Sequence, residues 1–459
     1  MLPPFDPWLS SRVAADVAVA SHAGADALAA RQARRLADLL ASAVRGSALY
    51  RRLLQGGDPL GLRLDELPIL SKSRLMGAFD DWVTDPALRF DALRRFTADR
   101  ARIADPFLGR YAVWESSGSS GEAGLFVQDA RAMAVYDALE SLRRPALRPL
   151  QRWMNPWSLG ERMAFVGATG GHFASTVSIE RLRRLNPALA GSISSVSFLQ
   201  PLDQLVAQLN ALAPAVIATY PSAAVLLAEE RLAGRLAFAP RELWTGGEEL
   251  SAAMRGFVRQ ALGCPVANSY GASEFLSLAS ECRCGRLHLN SDWAILEPVD
   301  ERGRAMPAGE AGVTTLLTNL ANHVQPLIRY DLGDRVTQHD IACACGSRLP
   351  VIEVRGRNDD TLRLGAQQVR LLPLAVSTVL EDDAGLFDFQ LVQKGPCELL
   401  LRTGLRGKAA DASLRRARAA LSSFLVQQGA AGVHIHCRSG DAGRRGASGK
   451  VQRVIAEPG

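Results

Sequence analysis

The sequence predicts an α/β architecture, with a large N-terminal body of several subdomains and a smaller C-terminal piece. Three observations carry that expectation. From about residue 108, short apolar runs alternate with glycine turns and helical stretches, as in Ala164-Phe-Val-Gly-Ala, Ala215-Val-Ile-Ala-Thr-Tyr and Arg241-Glu-Leu-Trp-Thr. Strand-then-helix alternation of this kind is the mark of α/β layering. A chain of 459 residues also exceeds what a single core usually organises, so two or three domains are expected. Finally, residues 285–355 are rich in turns and alternating residues, as in Val313-Thr-Thr-Leu-Leu-Thr, and predict a β subdomain. After Gly356 the chain resumes as a compact piece of roughly one hundred residues. The boundaries that follow are 1–355 for the body, with a helical preamble over 1–107, and 356–459 for the C-terminal domain.

In the preamble, residues 11 to about 55 read as helix. Leu28-Ala-Ala-Arg-Gln-Ala-Arg-Arg-Leu-Ala-Asp-Leu-Leu40 repeats apolar groups at steps of three and four, with arginines on the other face. The stretches Ser47-Ala-Leu-Tyr-Arg-Arg-Leu53 and Leu67-Pro-Ile-Leu-Ser71-Lys72 close this region.

Composition narrows the function classes. Hydrophobic residues at 47% and charged residues at 22% are ordinary for a soluble globular protein. The net charge of +6 is spread without a basic block, which argues against a nucleic-acid arm and suits a polyanionic small molecule. The start, Met1-Leu-Pro-Pro-Phe-Asp-Pro-Trp8, has no basic region leading into an apolar stretch. Apolar runs such as Pro214-Ala-Val-Ile-Ala218 are too short to cross a bilayer. A cytoplasmic protein without membrane or nucleic-acid partners is expected. In a reducing compartment seven cysteines, four of them in two Cys-x-Cys pairs, point to metal before disulfide.

Five short segments stand out by their chemistry and order. The first, Glu115-Ser-Ser-Gly-Ser-Ser-Gly121, sits between Tyr111-Ala-Val-Trp114 and Leu125-Phe-Val, both of which read as strands. It is therefore expected to be a hairpin turn whose glycines let backbone N–H groups approach phosphate. The second, Ser269-Tyr-Gly-Ala-Ser-Glu274, reads as a turn into a helix with Ser273 and Glu274 near its start. Beside the first segment, Glu274 becomes the hard oxygen ligand that Mg²⁺ takes next to a triphosphate. Asp334, in Arg329-Tyr-Asp-Leu-Gly-Asp334, is an aspartate at a glycine turn and suits two ribose hydroxyls. Gly356-Arg-Asn-Asp-Asp360 is a polar hinge, and Gly449-Lys-Val-Gln-Arg453 provides a late lysine.

In that order the segments resemble the core motifs of acyl-adenylate-forming (AMP-binding) ligases, in the layout of the phenylacetate–CoA ligase branch, from about residue 30 to the end. Tyr50 and the Leu-Pro-Ile-Leu-Ser-Lys stretch resemble that branch as well. The resemblance implies an adenylate-forming N-terminal domain and a small mobile α+β lid. It implies that Ser116, Ser117, Gly118, Ser119, Ser120 and Gly121 cradle the triphosphate of ATP and that Glu274 contacts Mg²⁺. Gly246, Gly247 and Glu248, after Trp244-Thr245, are similar to the stretch that packs on adenine. Ser269, Tyr270, Gly271, Ala272 and Ser273 lie beside it, with Tyr270 stacking and Asp334 holding the ribose. Arg357 and Asp359 match the arginine and hinge aspartate about which the lid rotates. Gly365 resembles the glycine beside the pantetheine tunnel, and Lys450 the lysine that reaches the carboxylate and α-phosphate. By position relative to the acid-binding stretches, His172 and Tyr220, Pro221 and Ser222 are the acid-pocket candidates. One departure is plain: the family's phosphate loop commonly continues with lysine and proline, whereas Glu122 and Ala123 stand here.

Glu281-Cys-Arg-Cys-Gly-Arg-Leu-His288 and Ala342-Cys-Ala-Cys-Gly-Ser-Arg-Leu349 are two turns of soft ligands far apart in sequence, as a tetrahedral structural Zn²⁺ site requires. The resemblance selects Cys282, His288, Cys343 and Cys345, with Cys284 in place of His288 as the alternative. The function expected is ATP-dependent activation of a carboxylic acid, aromatic by preference, to acyl-AMP, followed by transfer to the thiol of coenzyme A. Transfer to the pantetheine of a carrier protein, adenylylation alone, or a zinc-stapled nucleic-acid binder are the alternatives. A homodimer is compatible with all of these.

Overall fold

The computed structural model describes residues 2–54, 63–116, 124–144, 161–248, 250, 252–355, 362–365, 367–371, 373–386, 389–440 and 454–456. Ser117, Gly118, Ser119, Ser120, Gly121, Arg357, Asp359 and Lys450 lie outside these residues.

The preamble is helical but broken twice. Helices span Pro7–Ser21, Ala25–Gly46 and Ala48–Leu53. Asp6 caps the first, its carboxylate accepting from the Trp8 and Leu9 N–H groups at 3.0 Å with Pro7 behind it. The breaks fall at Gly24 and Ser47, both extended. Ser47 recaps the chain by accepting from Tyr50 N–H (3.3 Å) and donates to Asp81 O (2.8 Å). The expected outward arginine face also needs correction. Arg35 is buried, stacks 3.4 Å over the Trp293 ring and pairs with Asp16 and Asp292. It shares Asp292 with Arg143, whose two terminal nitrogens donate to the two carboxylate oxygens at 2.6 and 2.9 Å.

Strands β1 (Ala112–Glu115) and β2 (Leu125–Gln128) form the expected antiparallel hairpin, with Trp114 opposite Phe126. Then follow β3 (Met163–Gly167), β4 (Ile193–Ser197), β5 (Val216–Thr219), β6 (Glu242–Gly246) and β7 (Val266–Ala272), all parallel and ordered β4-β3-β5-β6-β7. Helices between them, such as Ala174–Leu185 and Pro221–Leu232, cover the faces. This is why Ala164, Val166, Val216 and Ile217 are buried and the strands read as continuous apolar runs.

The stretch expected to be a β subdomain is divided between two sheets. Strands β8 (Phe275–Glu281) and β9 (Leu287–Leu289) prolong the main sheet in antiparallel fashion. Strands β10 (Ala294–Val299), β11 (Thr314–Asn319) and β12 (Tyr330–Asp331) form a separate antiparallel sheet. Strands β13 (Arg335–His339) and β14 (Val351–Arg355) then return to the far edge, completing the nine-stranded order β13-β14-β9-β8-β7-β6-β5-β3-β4.

The preamble is part of the body's core. Phe79 and Trp82 are buried edge to face at 5.8 Å, and Trp82 Nε1–H and Tyr50 Oη–H both donate to Pro326 O, at 2.6 and 3.0 Å. Burying a side chain such as Phe79, Phe126 or Phe275 is worth about 1.5–3 kcal/mol each. Leu70 pairs with Tyr330 as a parallel bridge, so the segment before Lys72 behaves as an extra edge beside β12.

In the C-terminal part, β15 (Leu362–Leu364) and β16 (Val369–Leu371) make a hairpin. Strands β17 (Gln390–Gly395), β18 (Glu398–Thr403), β19 (His434–Ser439) and β20 (Val454–Ala456) form a four-stranded sheet ordered β19-β18-β17-β20, joined by the helix Gly407–Gln427. Polar contacts connect this part to the body. Gln428 Nε2–H donates to Leu199 O at 3.2 Å, and Arg100 lies 3.8 Å from Asp383 with both side chains more than half exposed. The whole is the mixed α/β fold that the sequence predicts, with a large sheet, helices on its faces and a smaller C-terminal α+β domain. Among the described residues no helix is long and apolar enough to cross a membrane.

Candidate active site

Ligands of open parallel sheets gather at the carboxyl ends of the strands. At that end here, β6 finishes on Gly246-Gly247 and lies in register with β7, Gly246 opposite Ser269. A Cβ on Gly246 would meet Ser269 Oγ at 2.9 Å and Ser269 O at 3.1 Å, so the two strands meet with no room for a side chain. Gly247 has φ +81°, and a Cβ there would press the Tyr220 ring at 3.1 Å. Tyr220, directly after β5, stands edge-on to Phe198 with centroids 5.8 Å apart, and its hydroxyl lies 3.5 Å from Ser175 Oγ. Burial raises its phenol, against the Ser175 hydrogen bond and with the Glu248 charge. Pro221 and Ser222 open the helix Pro221–Leu232 behind it. The Gly246–Glu248 and Ser269–Tyr270 stretches are thus neighbours, with Tyr220 beneath Gly247.

The segment after Tyr270 is not a helix start. Ser273 and Glu274 form the turn of the β7–β8 hairpin, and the register shifts between Tyr270 and Ala272. The physical reason is Gly271: a Cβ there would sit 1.9 Å from Leu276 O, so the hairpin closes on bare backbone. Two neighbours grip the turn. Trp114 Nε1–H donates to Ser273 O at 2.8 Å, and Asn319 Nδ2–H donates to Glu274 O at 2.9 Å. On the side chains, Tyr330 Oη–H donates to Glu274 Oε1 and Tyr270 Oη–H to Asp334 Oδ2, both at 2.8 Å. Each candidate carboxylate is therefore aimed by a phenol from another segment.

The partner tyrosine is itself fixed. Leu70 N–H donates to Arg329 O (3.1 Å) and Asp331 N–H to Leu70 O (3.0 Å) on either side of Tyr330. Arg329 is buried at φ +49° and donates to Asp65 O and Leu67 O at 3.0 and 2.7 Å. Asp331 accepts from Gly333 N–H at 2.9 Å and from Thr314, so of the two aspartates in this motif it is Asp334 that meets Tyr270.

Of the serine–glycine loop, only its neck lies within the described residues. Ser116 N–H donates to Gly124 O at 2.8 Å, and Ser116 Oγ accepts from Gly124 N–H at 2.9 Å and from Lys72 Nζ at 2.8 Å. Beside the neck, Glu115 N–H donates to His172 O at 2.7 Å, and the Glu115 carboxylate accepts from Thr97. His172 is buried edge-on to Phe96 at 5.4 Å, and Nε2 faces Asp99 O at 3.0 Å. A carbonyl only accepts, so Nε2 carries the proton, and the buried Nδ1 has no hydrogen-bond partner among the described residues. Gly365 turns β15 into β16 at φ +75°, its N–H donating to Pro396 O at 2.6 Å.

Sequence reasoning assigned no role to Tyr330 or Lys72. The signal for Tyr330 was its place inside the Arg329–Asp334 segment, and that for Lys72 its place at the end of the Leu-Pro-Ile-Leu-Ser-Lys stretch.

The cysteine cluster assembles away from this mouth. The candidate ligand atoms of Cys282, His288, Cys343 and Cys345 all lie within 4.8 Å of one another. Cys282 Sγ is 3.8 Å from Cys343 Sγ, and Cys345 Sγ is 3.3 Å from His288 Nε2. His288 Nδ1 lies 2.8 Å from Leu349 O and must donate to it, which leaves Nε2 as the lone-pair nitrogen toward the thiols. Backbone N–H groups of Cys284 and Ser347 point at Cys282 Sγ and Cys345 Sγ, both at 3.4 Å. The Cys345 backbone, with His288, draws the Cys343 thiol down to about 6 despite the opposing effect of burial. Cys284 is exposed and is not one of these four, though its thiol reaches Cys343, whereas Cys264 is buried and Cys397 and Cys437 are exposed thiols. This donor set fits Zn²⁺, which takes thiolate and neutral imidazole in a closed tetrahedron. Glu274 likewise offers the carboxylate oxygens that Mg²⁺ prefers.

No protein-family model matches the sequence, and no curated protein matches it. Solved structures do. The crystal structure of 2-hydroxyisobutyryl-CoA ligase with 2-HIB-AMP and CoA in the thioesterification state aligns at a TM-score of 0.58 with 20% identity, covering 95% of this chain and 91% of that one. The same ligase in the postadenylation state with R3-HIB-AMP aligns at 0.56 with 19% identity, covering 95% and 91%. Its open conformation with 2-HIB-AMP and CoA aligns at 0.53 with 20% identity, covering 93% and 91%. The likeness is one of fold: the chain has the adenylate-forming ligase fold, C-terminal domain included.

Proposed function

We propose that this protein is an AMP-forming acid–thiol ligase, similar to the phenylacetate–CoA ligase branch. It joins a carboxylic acid, aromatic by preference, to AMP with release of pyrophosphate, and then passes the acyl group to coenzyme A. The observation that supports this most directly is the pair of tyrosine-held carboxylates, Glu274 with Tyr330 and Asp334 with Tyr270, beside the Gly246–Gly247 strand end. Among adenylate-forming folds that arrangement suits one carboxylate for the metal and one for the ribose.

In the first half-reaction the acid's carboxylate oxygen attacks the α-phosphorus and the bond to pyrophosphate breaks, so negative charge builds on phosphoryl oxygens. Mg²⁺ at Glu274 would supply neutralising charge there. The rest falls to the chain. Gly246 and Gly247 keep the strand ends bare for a flat base, and Tyr270 can cover it while orienting Asp334 toward the ribose hydroxyls. The Ser116–Gly121 segment would cradle the triphosphate, and Lys450 would bring an ammonium to the α-phosphate. In the second half-reaction the thiol loses its proton, sulfur attacks the acyl carbon and AMP leaves. A lid formed by residues 356–459 and turning at Asp359, with Gly365 lining the pantetheine path, would exchange Lys450 for that thiol. His172 and Tyr220 would bound the acid pocket, and a Zn²⁺ at Cys282, His288, Cys343 and Cys345 would have a structural role. Free thiols at all seven cysteines suit a cytoplasmic setting.

The test is ATP–pyrophosphate exchange over a panel of aryl and alkyl acids, followed by single-turnover transfer to free CoA, to a holo carrier protein, or to neither. Acid-dependent exchange with CoA thioester formation is expected. Transfer only to the carrier would move the acceptor, and absence of exchange with every acid would overturn the reading.

A further inference from the structure

The cysteine corner holds one sulfur more than a tetrahedral metal takes. Cys282, His288, Cys343 and Cys345 converge, and the thiol of Cys284 reaches Cys343 from outside that set. Cys284 is exposed and Cys343 is buried, so a sulfur open to solvent touches one that is not. The two turns that carry them are clamped together. Gly285 N–H donates to Cys282 O at 2.9 Å and Gly346 N–H to Cys343 O at 3.0 Å, closing each turn on itself. Between the turns, Arg283 Nη2–H donates to Ala344 O at 3.4 Å. The corner is also open on one side. A cavity of about 290 Å³ is lined by Cys282, His288 and Cys345, and by Ser280, whose buried Oγ has no hydrogen-bond partner among the described residues. A small polar molecule therefore has room beside three of the four ligands.

What the corner holds in place is the start of the chain. His288 Nδ1–H donates to Leu349 O at 2.8 Å, and the Leu349 side chain is buried against Ala20 and Leu28, on the helices Pro7–Ser21 and Ala25–Gly46.

We propose that Cys284 and Cys343 are an oxidation site at which a hydroperoxide joins the two sulfurs and so dismantles the zinc staple. The Cys284 sulfur takes one oxygen of hydrogen peroxide as the O–O bond breaks, giving a sulfenic acid and one water. The Cys343 thiolate attacks that sulfur, the S–O bond breaks, and the hydroxyl leaves as a second water with a proton from solvent. The two cysteines lose two electrons and the peroxide gains them. Cys343 thereby leaves the ligand set, and three donors remain where structural zinc takes four. The Leu349 contact with Ala20 and Leu28 then loosens. This inference rests on the zinc reading of the corner and is independent of the adenylation reading.

The experiment uses the full chain, purified reduced, as wild type, Cys284→Ser and Cys397→Ser, the last removing an exposed thiol elsewhere. Zinc content is measured first, then zinc release to a chromogenic chelator under graded hydrogen peroxide. Free thiols are alkylated and disulfide-linked peptides are mapped by mass. All three proteins should carry zinc before oxidation. Cys284→Ser should release it at least about tenfold more slowly than wild type, since the thiol poised beside a ligand is gone. Cys397→Ser should match the wild type. The oxidised wild type should yield a Cys284–Cys343 linked peptide and faster amide exchange over residues 17–28, both reversed by dithiothreitol and zinc. Release from Cys284→Ser at the wild-type rate, or a Cys282–Cys343 link in place of the expected one, would overturn the proposal. Cys284→Ser without zinc beside a loaded wild type would do so as well, by placing Cys284 among the ligands. A reduced wild type that holds no zinc would remove the zinc reading, and this proposal with it.

Discussion

Strand β8 stands between two sites of opposite construction. Glu274 immediately precedes it and Cys282 immediately follows it, roughly 26 Å apart at about 3.3 Å per residue. At the first end, the two carboxylates are each held by a tyrosine 56 and 64 residues away in sequence. At the second, the soft ligands come from two turns that each bring their own backbone N–H groups to sulfur, at 3.4 Å. Both sites join segments 56 to 64 residues apart, but the cysteine corner takes its ligands in pairs from two short segments, whereas at the mouth each carboxylate is held singly by a tyrosine from another segment. The difference is one of construction: the cysteine corner needs two prepared turns to meet, while the mouth needs each of its carboxylates to be aimed separately.

Four experiments break or sharpen this comparison. The largest effect is expected from Lys450, outside the described residues: Lys450→Ala should lower acid-dependent pyrophosphate exchange about 10²–10³-fold without moving the thermal midpoint. Removal of a charge from the buried Arg35–Asp292–Arg143 network comes next. Asp292 has a fully buried side chain between Arg35 and Arg143, so Asp292→Asn should cost about 3–5 kcal/mol in denaturant unfolding because buried Arg143 loses its carboxylate and Arg35 keeps only Asp16. Burial alone would raise the Asp292 carboxyl, but Arg143 and Arg35 together hold it below its ordinary value. A lowered folded pKa means that the stabilisation is present above the unfolded value, about 4, and is lost as pH falls through the folded one. The stability gap between wild type and Asp292→Asn should therefore narrow in acid and stay constant from pH 5 to 7.

The third experiment isolates the corner. Elemental analysis should find about one zinc per chain, lost in Cys343→Ser. That variant should melt about 5–10 °C lower, at about 2–4 °C per kcal/mol for a domain of this kind, with exchange at 25 °C within about twofold of wild type. The smallest effect should come from the mouth. Tyr330→Phe removes one hydrogen bond to a carboxylate and should reduce exchange about tenfold while leaving zinc content and melting nearly unchanged. Mouth variants that change melting as much as activity would erase the distinction between the two sites.

Much of this was legible before any coordinates. The runs Tyr111–Trp114 and Leu125–Val127, both apolar throughout and read as strands from the sequence, do pair antiparallel, from Ala112–Glu115 to Leu125–Gln128. The apolar runs at 164, 215 and 241, read the same way, became parallel strands. The paired Cys-x-Cys turns were visible as metal-like spacing, and the four residues chosen from them do converge. Other features resisted reading. The Ser273–Glu274 turn has the residue types of a helix cap, and only the closeness of Gly271 to Leu276 O shows that the chain reverses instead. Arg35 follows the polar rhythm of its helix, yet Asp292 and Trp293, more than 250 residues later, draw it inside.

By itself, then, the sequence determined what is written in short range: the strand runs, the glycines where backbone must meet backbone, the soft-ligand turns and the order of the polar segments. Tertiary structure alone decided which tyrosine aims which carboxylate and that Lys72 arrives at Ser116. The reason is physical. Periodicity and turn chemistry act over a few residues, whereas these contacts join segments 44 to 64 residues apart, whose meeting is set by how the sheets and the preamble share one core.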